Sequence, residues 1–318
     1  MLAPVVRQRS RVIRTRCATA CRWRRSIHQF QPNPRKKMTK KLIQHGLAFA
    51  LFALSTASMA GTLADARQAY ATRLTVSAKA PQDFAALRTP AGVKEVGYQS
   101  GPLQLKAWLS TSAPATKLAP AVVFLHGGFS FGEEDWDAAK ALVDAGYILL
   151  MPRLRGENGN PGNFELFGGE VDDAIAAGRY LAAVPGVDKD RIFVMGHSVG
   201  GSLAVLVAQM PSPFKASVSL SGYPRLLEWI DHFRIIPFDK NNEMERKIRN
   251  PYLYTDSVKT PLYLFSESNN PGMKAANAEF CTLVAKTSVC RHEVVSGNHE
   301  TMMAPAIGKA LALLATIK

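Results

Sequence analysis

The stretch that decides the reading is Arg191-Ile192-Phe193-Val194-Met195-Gly196-His197-Ser198-Val199-Gly200-Gly201-Ser202-Leu203-Ala204-Val205-Leu206-Val207-Ala208. Arg191 to Met195 is an apolar run that reads as a buried strand. Gly201 to Ala208 reads as a helix. Between them lies a G-x-S-x-G, which at a strand-to-helix turn holds its serine on a sharp bend with the hydroxyl in the open. Glycine fits on either side because a Cβ there would collide with the neighbouring strand or helix. Ser198 also stands at a helix N-terminus, where free N–H groups favour negative charge. Those features suit a serine whose substrate becomes an oxyanion. The competing reading is a glycine-rich turn without chemistry.

Outward from this elbow, the chain alternates solid apolar runs with helical segments. The runs are Ala121–Leu125, Tyr147–Met151, Ile192–Met195, Ala216–Leu220, Leu262–Phe265 and His292–Val295. Continuous runs indicate strands buried on both faces, hence a parallel sheet covered by helices. The helical segments are Glu133–Ala145, Gly169–Ala183, Ser198–Gln209, Met273–Lys286 and Met302–Ile317. Before them, Val93–Gln99 and Leu103–Thr111 alternate apolar and polar around Ser100-Gly101-Pro102, which predicts an antiparallel hairpin. Leu63–Ser77 reads as an alanine-rich helix. The class is α/β: a mostly parallel twisted sheet with an antiparallel N-terminal hairpin and helices on both faces. Residues 222–259 exceed what one connecting helix needs and hold Trp229, Phe233 and Tyr252. They form either a helix with a packed loop or a small cap over a site.

The formal charge of +14 is misleading, because residues 1–60 hold 13 Lys+Arg and no acid, leaving 26 bases against 25 acids in the rest. The folded part gives no electrostatic reason to bind nucleic acid or an anionic membrane. Residues 38–60 read as a signal peptide. Lys40 and Lys41 form its positive end, Leu47–Leu54 an apolar stretch too short to span a bilayer, and Ser58-Met59-Ala60 a cleavage site. Residues 1–37 read as an over-extended gene start or a basic leader of mitochondrial type. The expectation is a periplasmic or secreted domain over 61–318 with no stable membrane span after cleavage. Cys281 and Cys290 remain in it, and an even pair in an exported protein favours a disulfide over two buried thiols. Nothing near Cys17 and Cys21 completes a zinc site, and no metal or organic cofactor is expected.

Ser198 needs a base. His299, in Ser296-Gly297-Asn298-His299-Glu300 between the last strand and last helix, opens on the same sheet edge. It can take the serine proton and return it to the leaving group. The oxyanion needs two N–H donors: Val199, after the nucleophile, and a glycine of His126-Gly127-Gly128-Phe129, with Gly128 favoured and Phe129 next. Phe129, Phe131, Trp136, Tyr223 and Trp229 are candidates to line a substrate pocket, Phe129, Tyr223 and Trp229 first among them, although aromatic residues at such places are more often core. Asp172, Asp173 and Asp190 read as structural.

These residues resemble the α/β-hydrolase superfamily, nearest to its prolyl oligopeptidase-like and dienelactone hydrolase-like serine hydrolases. The resemblance runs from His126-Gly127-Gly128 through Leu154-Arg155-Gly156, Gly169-Glu170-Val171-Asp172-Asp173 and Val187-Asp188-Lys189-Asp190-Arg191-Ile192. It continues through Gly196 to Gly201 and from Asn250-Pro251 to Thr260-Pro261, and ends at His299, covering nearly all of 90–318. It implies the fold, the Ser/His pair and hydrolysis through an acyl-enzyme. One departure concerns the acid. Asn270 occupies the position aligned with the family's carboxylate, while Glu267 lies nearer the strand end with a longer reach. Glu267 is the preferred acid; Asn270 as a neutral orienter, or Asp231 from the insert, are the others. The sequence thus points to an esterase acting on a small-molecule ester or peptide-like substrate. A peptide or amide hydrolase is the second reading, and a binding protein that keeps the fold without turnover the third.

Overall fold

A computed structural model describes residues 61–317, apart from 83, 85 and 112–116. The leader at 1–37 and the signal peptide at 38–60 lie outside the described residues. Among the described residues eight strands form one sheet in the order β1-β2-β4-β3-β5-β6-β7-β8. They are β1 (Val93–Ser100), β2 (Leu103–Ser110), β3 (Ala119–Leu125), β4 (Ile148–Pro152), β5 (Val187–His197), β6 (Ala216–Leu220), β7 (Leu262–Glu267) and β8 (Cys290–Val295). β1 pairs with β2, and β2 with β4, antiparallel. Every pairing from β4 through β3 to β8 is parallel. The α/β architecture read from the sequence is therefore the one observed.

The helices are α1 (Leu63–Ala69), α2 (Glu133–Asp144), α3 (Glu170–Ala182), α4 (Val199–Ala208), α5 (Leu226–His232), α6 (Glu243–Lys247), α7 (Pro271–Val284) and α8 (Met303–Leu314). Strand β3 shows why its run is apolar throughout. Ala121, Val123 and Leu125 pack with Val171, Ala174 and Leu203 of α3 and α4. Val122 and Phe124 point the other way, to Trp136, Ala139 and Leu142 of α2 and Ala306 and Ile307 of α8. Alternate residues of one strand thus feed two separate cores. α7 covers β7 through Phe280, Cys281 and Val284. Cys281 and Cys290 form a disulfide with a Cα–Cα distance of 5.3 Å, tying α7 to the start of β8. Among the described residues no helix is long and apolar enough to cross a membrane.

Two expectations are corrected. The first helix ends at Ala69 rather than at Ser77. The chain beyond it holds Thr72, Thr75 and Val76, whose branched Cβ disfavours helix, and tertiary bonds take its backbone. Arg73 N–H donates to Glu245 Oε1 at 2.7 Å, Thr75 N–H to Pro237 O at 2.7 Å, and Leu74 makes a β-bridge with Phe238. Phe131 and Trp136 are core residues and not pocket walls: they pack edge-on against Trp108 at 4.7 and 6.0 Å. The insert at 222–259 holds α5, α6 and a 3-10 helix over Pro251–Ser257. Arg249, fully buried, binds it to the rest, donating to Glu245 Oε2, Leu166 O and Thr72 Oγ1 at 2.6, 2.6 and 2.8 Å.

Candidate active site

The carboxyl ends of β3, β5, β6, β7 and β8 lie side by side. Side chains that follow these strands therefore meet at one edge of the sheet, the place where open α/β sheets hold ligands. His126-Gly127-Gly128 follows β3, Ser198 follows β5, Ser221 follows β6, Glu267 ends β7, and His299 lies in the loop after β8.

Ser198 has φ +57° and ψ −114°, a backbone that L-residues avoid. The glycines around it permit this. A Cβ on Gly196 would stand 2.2 Å from Gly200 O, and one on Gly200 only 2.1 Å from Leu125 O. The N–H of Ser198 extends the sheet by donating to Leu220 O at 2.9 Å. Ser198 is half-buried, so its hydroxyl is reachable.

His299 Nε2 lies 2.9 Å from Ser198 Oγ. The loop that carries the ring is fixed at several points. Asn298 Oδ1 accepts from the N–H of Glu300 and Thr301 at 3.1 and 2.9 Å. Gly297 turns at φ +123°, where a Cβ would sit 2.6 Å from Thr301 Oγ1. His197, beside Ser198, donates to the carbonyl of His299 at 2.8 Å.

Glu267 is 2% exposed and stands behind the imidazole, its Oε1 3.8 Å from Nδ1. Burial opposes ionisation of its carboxyl. The adjacent His299, the Ser221 hydroxyl and Asn270 outweigh that and hold its pKa down at about 2. Ser221, which no motif in the sequence singles out, lies between Glu267 and His299. Its Oγ is 2.6 Å from Glu267 Oε2 and 2.8 Å from His299 Nδ1. The one signal for it is a hydroxyl directly after a strand, meaningful only once β6 is known to lie between β5 and β7. Asn270 caps α7, accepting from Met273 N–H at 3.0 Å, and donates to Glu267 Oε1 at 2.9 Å. It orients the carboxylate, not the imidazole. Asp231 is held by Arg246 at 2.6 Å in an exposed ion pair.

The glycine loop borders Ser198 directly: a Cβ on Gly127 would lie 3.5 Å from Ser198 Cβ. Gly128 turns at φ +68°. Phe129 N–H is engaged by Gln82 Oε1 at 2.9 Å, whereas the N–H groups of Gly128 and Val199 donate to no acceptor among the described residues. This favours Gly128 over Phe129 as partner to Val199, the first residue of α4. Beneath the loop, His126 Nε2 meets Glu157 Oε2 at 2.9 Å, with both side chains buried. Burial lowers the His126 pKa, but the Glu157 charge and hydrogen bond more than reverse this, raising it to about 9. The loop is thus anchored by a buried ion pair.

Phe129 is buried, packing at 5.1 Å on Phe164 and 5.3 Å on Phe233. Trp229 and Phe233 stack at 4.5 Å and are half-buried, so they present the open face of this aromatic group. Tyr223 is half-buried; its N–H donates to Ser202 Oγ at 2.9 Å and its hydroxyl to Glu228 Oε2 at 2.7 Å. Asp173, fully buried, accepts from Arg155 Nη2 at 2.8 Å and Ser100 Oγ at 2.5 Å. Asp172 pairs with Arg67 and Asp190 with Lys215, at 3.3 and 3.1 Å.

Comparison with known proteins agrees with this architecture. Residues 135–266 match the model of the prolyl oligopeptidase family. The chain has the α/β-hydrolase fold, and its segment 135–266 is similar to the prolyl oligopeptidase family. An uncharacterized peptidase of Bacillus subtilis is 27% identical to this chain over 154 residues, 48% of this chain and 56% of that protein. The chain thus spans about half the length of that relative. Among solved structures, the acylaminoacyl peptidase of Pyrococcus horikoshii superposes with a TM-score of 0.58 at 21% identity, covering 71% of this chain and 42% of that one. An esterase of Pyrococcus furiosus superposes with a TM-score of 0.60 at 18% identity, covering 76% of this chain and 98% of its own.

Proposed function

We propose that this protein cleaves a carboxylic ester of a small molecule through an acyl-enzyme on Ser198. The observation that carries the reading is the 2.9 Å contact between His299 Nε2 and Ser198 Oγ on a strained elbow. His299 removes the hydroxyl proton as Oγ attacks the ester carbonyl carbon. The carbonyl oxygen becomes an oxyanion, and the Val199 and Gly128 N–H groups receive it. The tetrahedral species collapses, and the alcohol leaves with the proton from His299. Water, deprotonated by the same ring, then releases the acid and restores Ser198. Glu267 stays ionised and stabilises the imidazolium formed in each half.

The surroundings favour a neutral, apolar acyl group. Trp229 and Phe233 pack against Phe129 of the glycine loop and offer an aromatic face. Charged groups near Tyr223 are already engaged, Glu228 by the Tyr223 hydroxyl and Arg225, and Arg225 also by Glu279. Peptide or amide cleavage is the second reading, supported by the prolyl oligopeptidase family match and by relatives named as peptidases. Steady-state rates on p-nitrophenyl esters and on aminoacyl p-nitroanilides compare the two. A kcat/KM at least ~100-fold higher for the esters supports the ester reading; higher rates on the anilides reverse it.

The proposal extends to location. The Cys281–Cys290 disulfide supports an oxidising compartment, periplasmic or extracellular. Cell fractionation with N-terminal sequencing tests it: mature protein beginning near Gly61 in the exported fraction agrees, and cytosolic protein retaining residues 38–60 contradicts it.

A further inference from the structure

We infer that Ser221 is a positioning residue whose hydroxyl links Glu267 to His299 and fixes the proton on the imidazole, an inference that rests on the serine-hydrolase reading above. The available hydrogens dictate it. An ionised carboxylate only accepts. Glu267 Oε2 lies 2.6 Å from Ser221 Oγ, so the Ser221 O–H donates to it. With its single proton committed there, Ser221 Oγ can only accept across the 2.8 Å to His299 Nδ1. Nδ1 therefore carries a hydrogen. In the neutral ring Nε2 then presents its lone pair to Ser198 Oγ at 2.9 Å. Each bond sets the direction of the next, from buried carboxylate to nucleophile.

Glu267 does not do this alone. Its distance to Nδ1 is 3.8 Å, beyond a hydrogen bond. Asn270 Nδ2 holds Oε1 at 2.9 Å, so the carboxylate is engaged on the side away from Ser221 as well. The backbone places the serine for this purpose. Ser221 has φ +52°, where glycine would sit without strain and any other residue is costly. Its N–H extends the β6–β7 ladder by donating to Phe265 O at 2.8 Å. The following carbonyl, of Gly222, accepts from the fully buried Asn277 Nδ2 at 3.1 Å. When Ser198 attacks, its proton moves to Nε2 and no proton crosses Ser221. The hydroxyl stays a donor to Glu267 and an acceptor from the imidazolium, so the new positive charge is stabilised through it.

The test compares wild type with Ser221→Gly, Ser221→Ala, Glu267→Gln and the double variant Ser221→Gly/Glu267→Gln. Fluorophosphonate labelling rates, and kcat and KM on an activated ester, are read alongside melting temperature. Ser221→Gly removes the hydroxyl while relieving the positive φ, so it folds even where Ser221→Ala does not. The expected result is a kcat about 10- to 100-fold lower in Ser221→Gly with KM within about threefold of wild type, a smaller loss than the ~10⁴ that a lost triad carboxylate can cost. The double variant should be no more than about threefold slower than Glu267→Gln alone, because both changes break one chain. A folded Ser221→Gly with wild-type kcat would overturn the inference, as would losses that multiply in the double variant. Absence of labelling in folded wild type would overturn the hydrolase reading itself, and the role of Ser221 with it.

Discussion

His197 Nε2 donates to the carbonyl oxygen of His299 at 2.8 Å, and the two rings lie 4.7 Å apart. The residue beside Ser198 thereby holds the loop that carries His299. The elbow is fixed by the sheet, so the tether adds to the anchors that Asn298 and Ser268 already give this loop. Displacing a catalytic group by about 1 Å can cost roughly 100-fold in rate. His197→Ala is accordingly expected to lower kcat about 10- to 100-fold while the protein stays folded. His197→Gln, whose flexible side chain can place an amide N–H near the Nε2 position, should recover part of the loss. Steady-state kinetics with a thermal melt on each variant check this.

The elbow depends on the absence of a side chain at Gly200. A Cβ there would stand 2.1 Å from Leu125 O and 2.6 Å from His126 O, both backbone atoms that cannot yield without opening the sheet. Gly200→Ala should destabilise the fold by more than about 4 kcal/mol, in the range reserved for core clashes. Gly308, exposed in α8 with open space where a Cβ would stand, provides the contrast. Gly308→Ala should stabilise by about 0.5–1 kcal/mol. Denaturant unfolding of the two variants distinguishes them.

The buried His126–Glu157 pair makes stability depend on alkaline pH. The imidazole pKa is raised from 6.5 to about 9 in the fold. Its contribution is therefore fully present below pH 6.5 and is lost as pH rises through about 9. Removing one partner of a buried pair costs about 3–5 kcal/mol. Glu157→Gln should lose stability of that order at about pH 6 and show a flatter decline between about pH 7 and 9. Melting temperatures across this range, wild type beside variant, measure both effects.

The disulfide joins residues nine apart in sequence. Closing so short a loop in the unfolded chain is worth about 3 kcal/mol on the chain-entropy account. Reduction, or the paired change Cys281→Ala/Cys290→Ala, should lower the melting temperature by about 5–10 °C. The pair lies at the far end of β8 from His299, so labelling of the serine below that temperature should be unaffected.

Much of this arrangement is legible in the amino-acid sequence, for identifiable reasons. Strands buried on both faces must be apolar at every position, so β3, β5, β6 and β7 stand out as continuous runs. The elbow is legible because its glycines answer to steric demands within a few residues. Glu267 is marked by its place at a strand end, and the 3.8 Å to Nδ1 shows that its reach alone falls short. What stays hidden depends on which strands are neighbours. Ser221 matters because β6 lies between β5 and β7, and sequence spacing does not encode that order. Asn270 looks like the acid's replacement because position along the chain says nothing of its bond to Glu267 Oε1. The early end of α1 has the same origin, since Glu245 and Pro237, which draw its continuation away, lie more than 160 residues further along the chain.

Everything proposed for the site depends on Ser198 being an activated nucleophile driven by His299 and Glu267. The rate of labelling by a fluorophosphonate decides this, on protein starting at Gly61, for wild type, Ser198→Ala and Glu267→Gln. Expected are rapid labelling of wild type, none of Ser198→Ala, and a rate lower by about 10²–10⁴ in folded Glu267→Gln. Folded wild type that does not label, or labelling that survives in Ser198→Ala, would show that the serine is not the nucleophile.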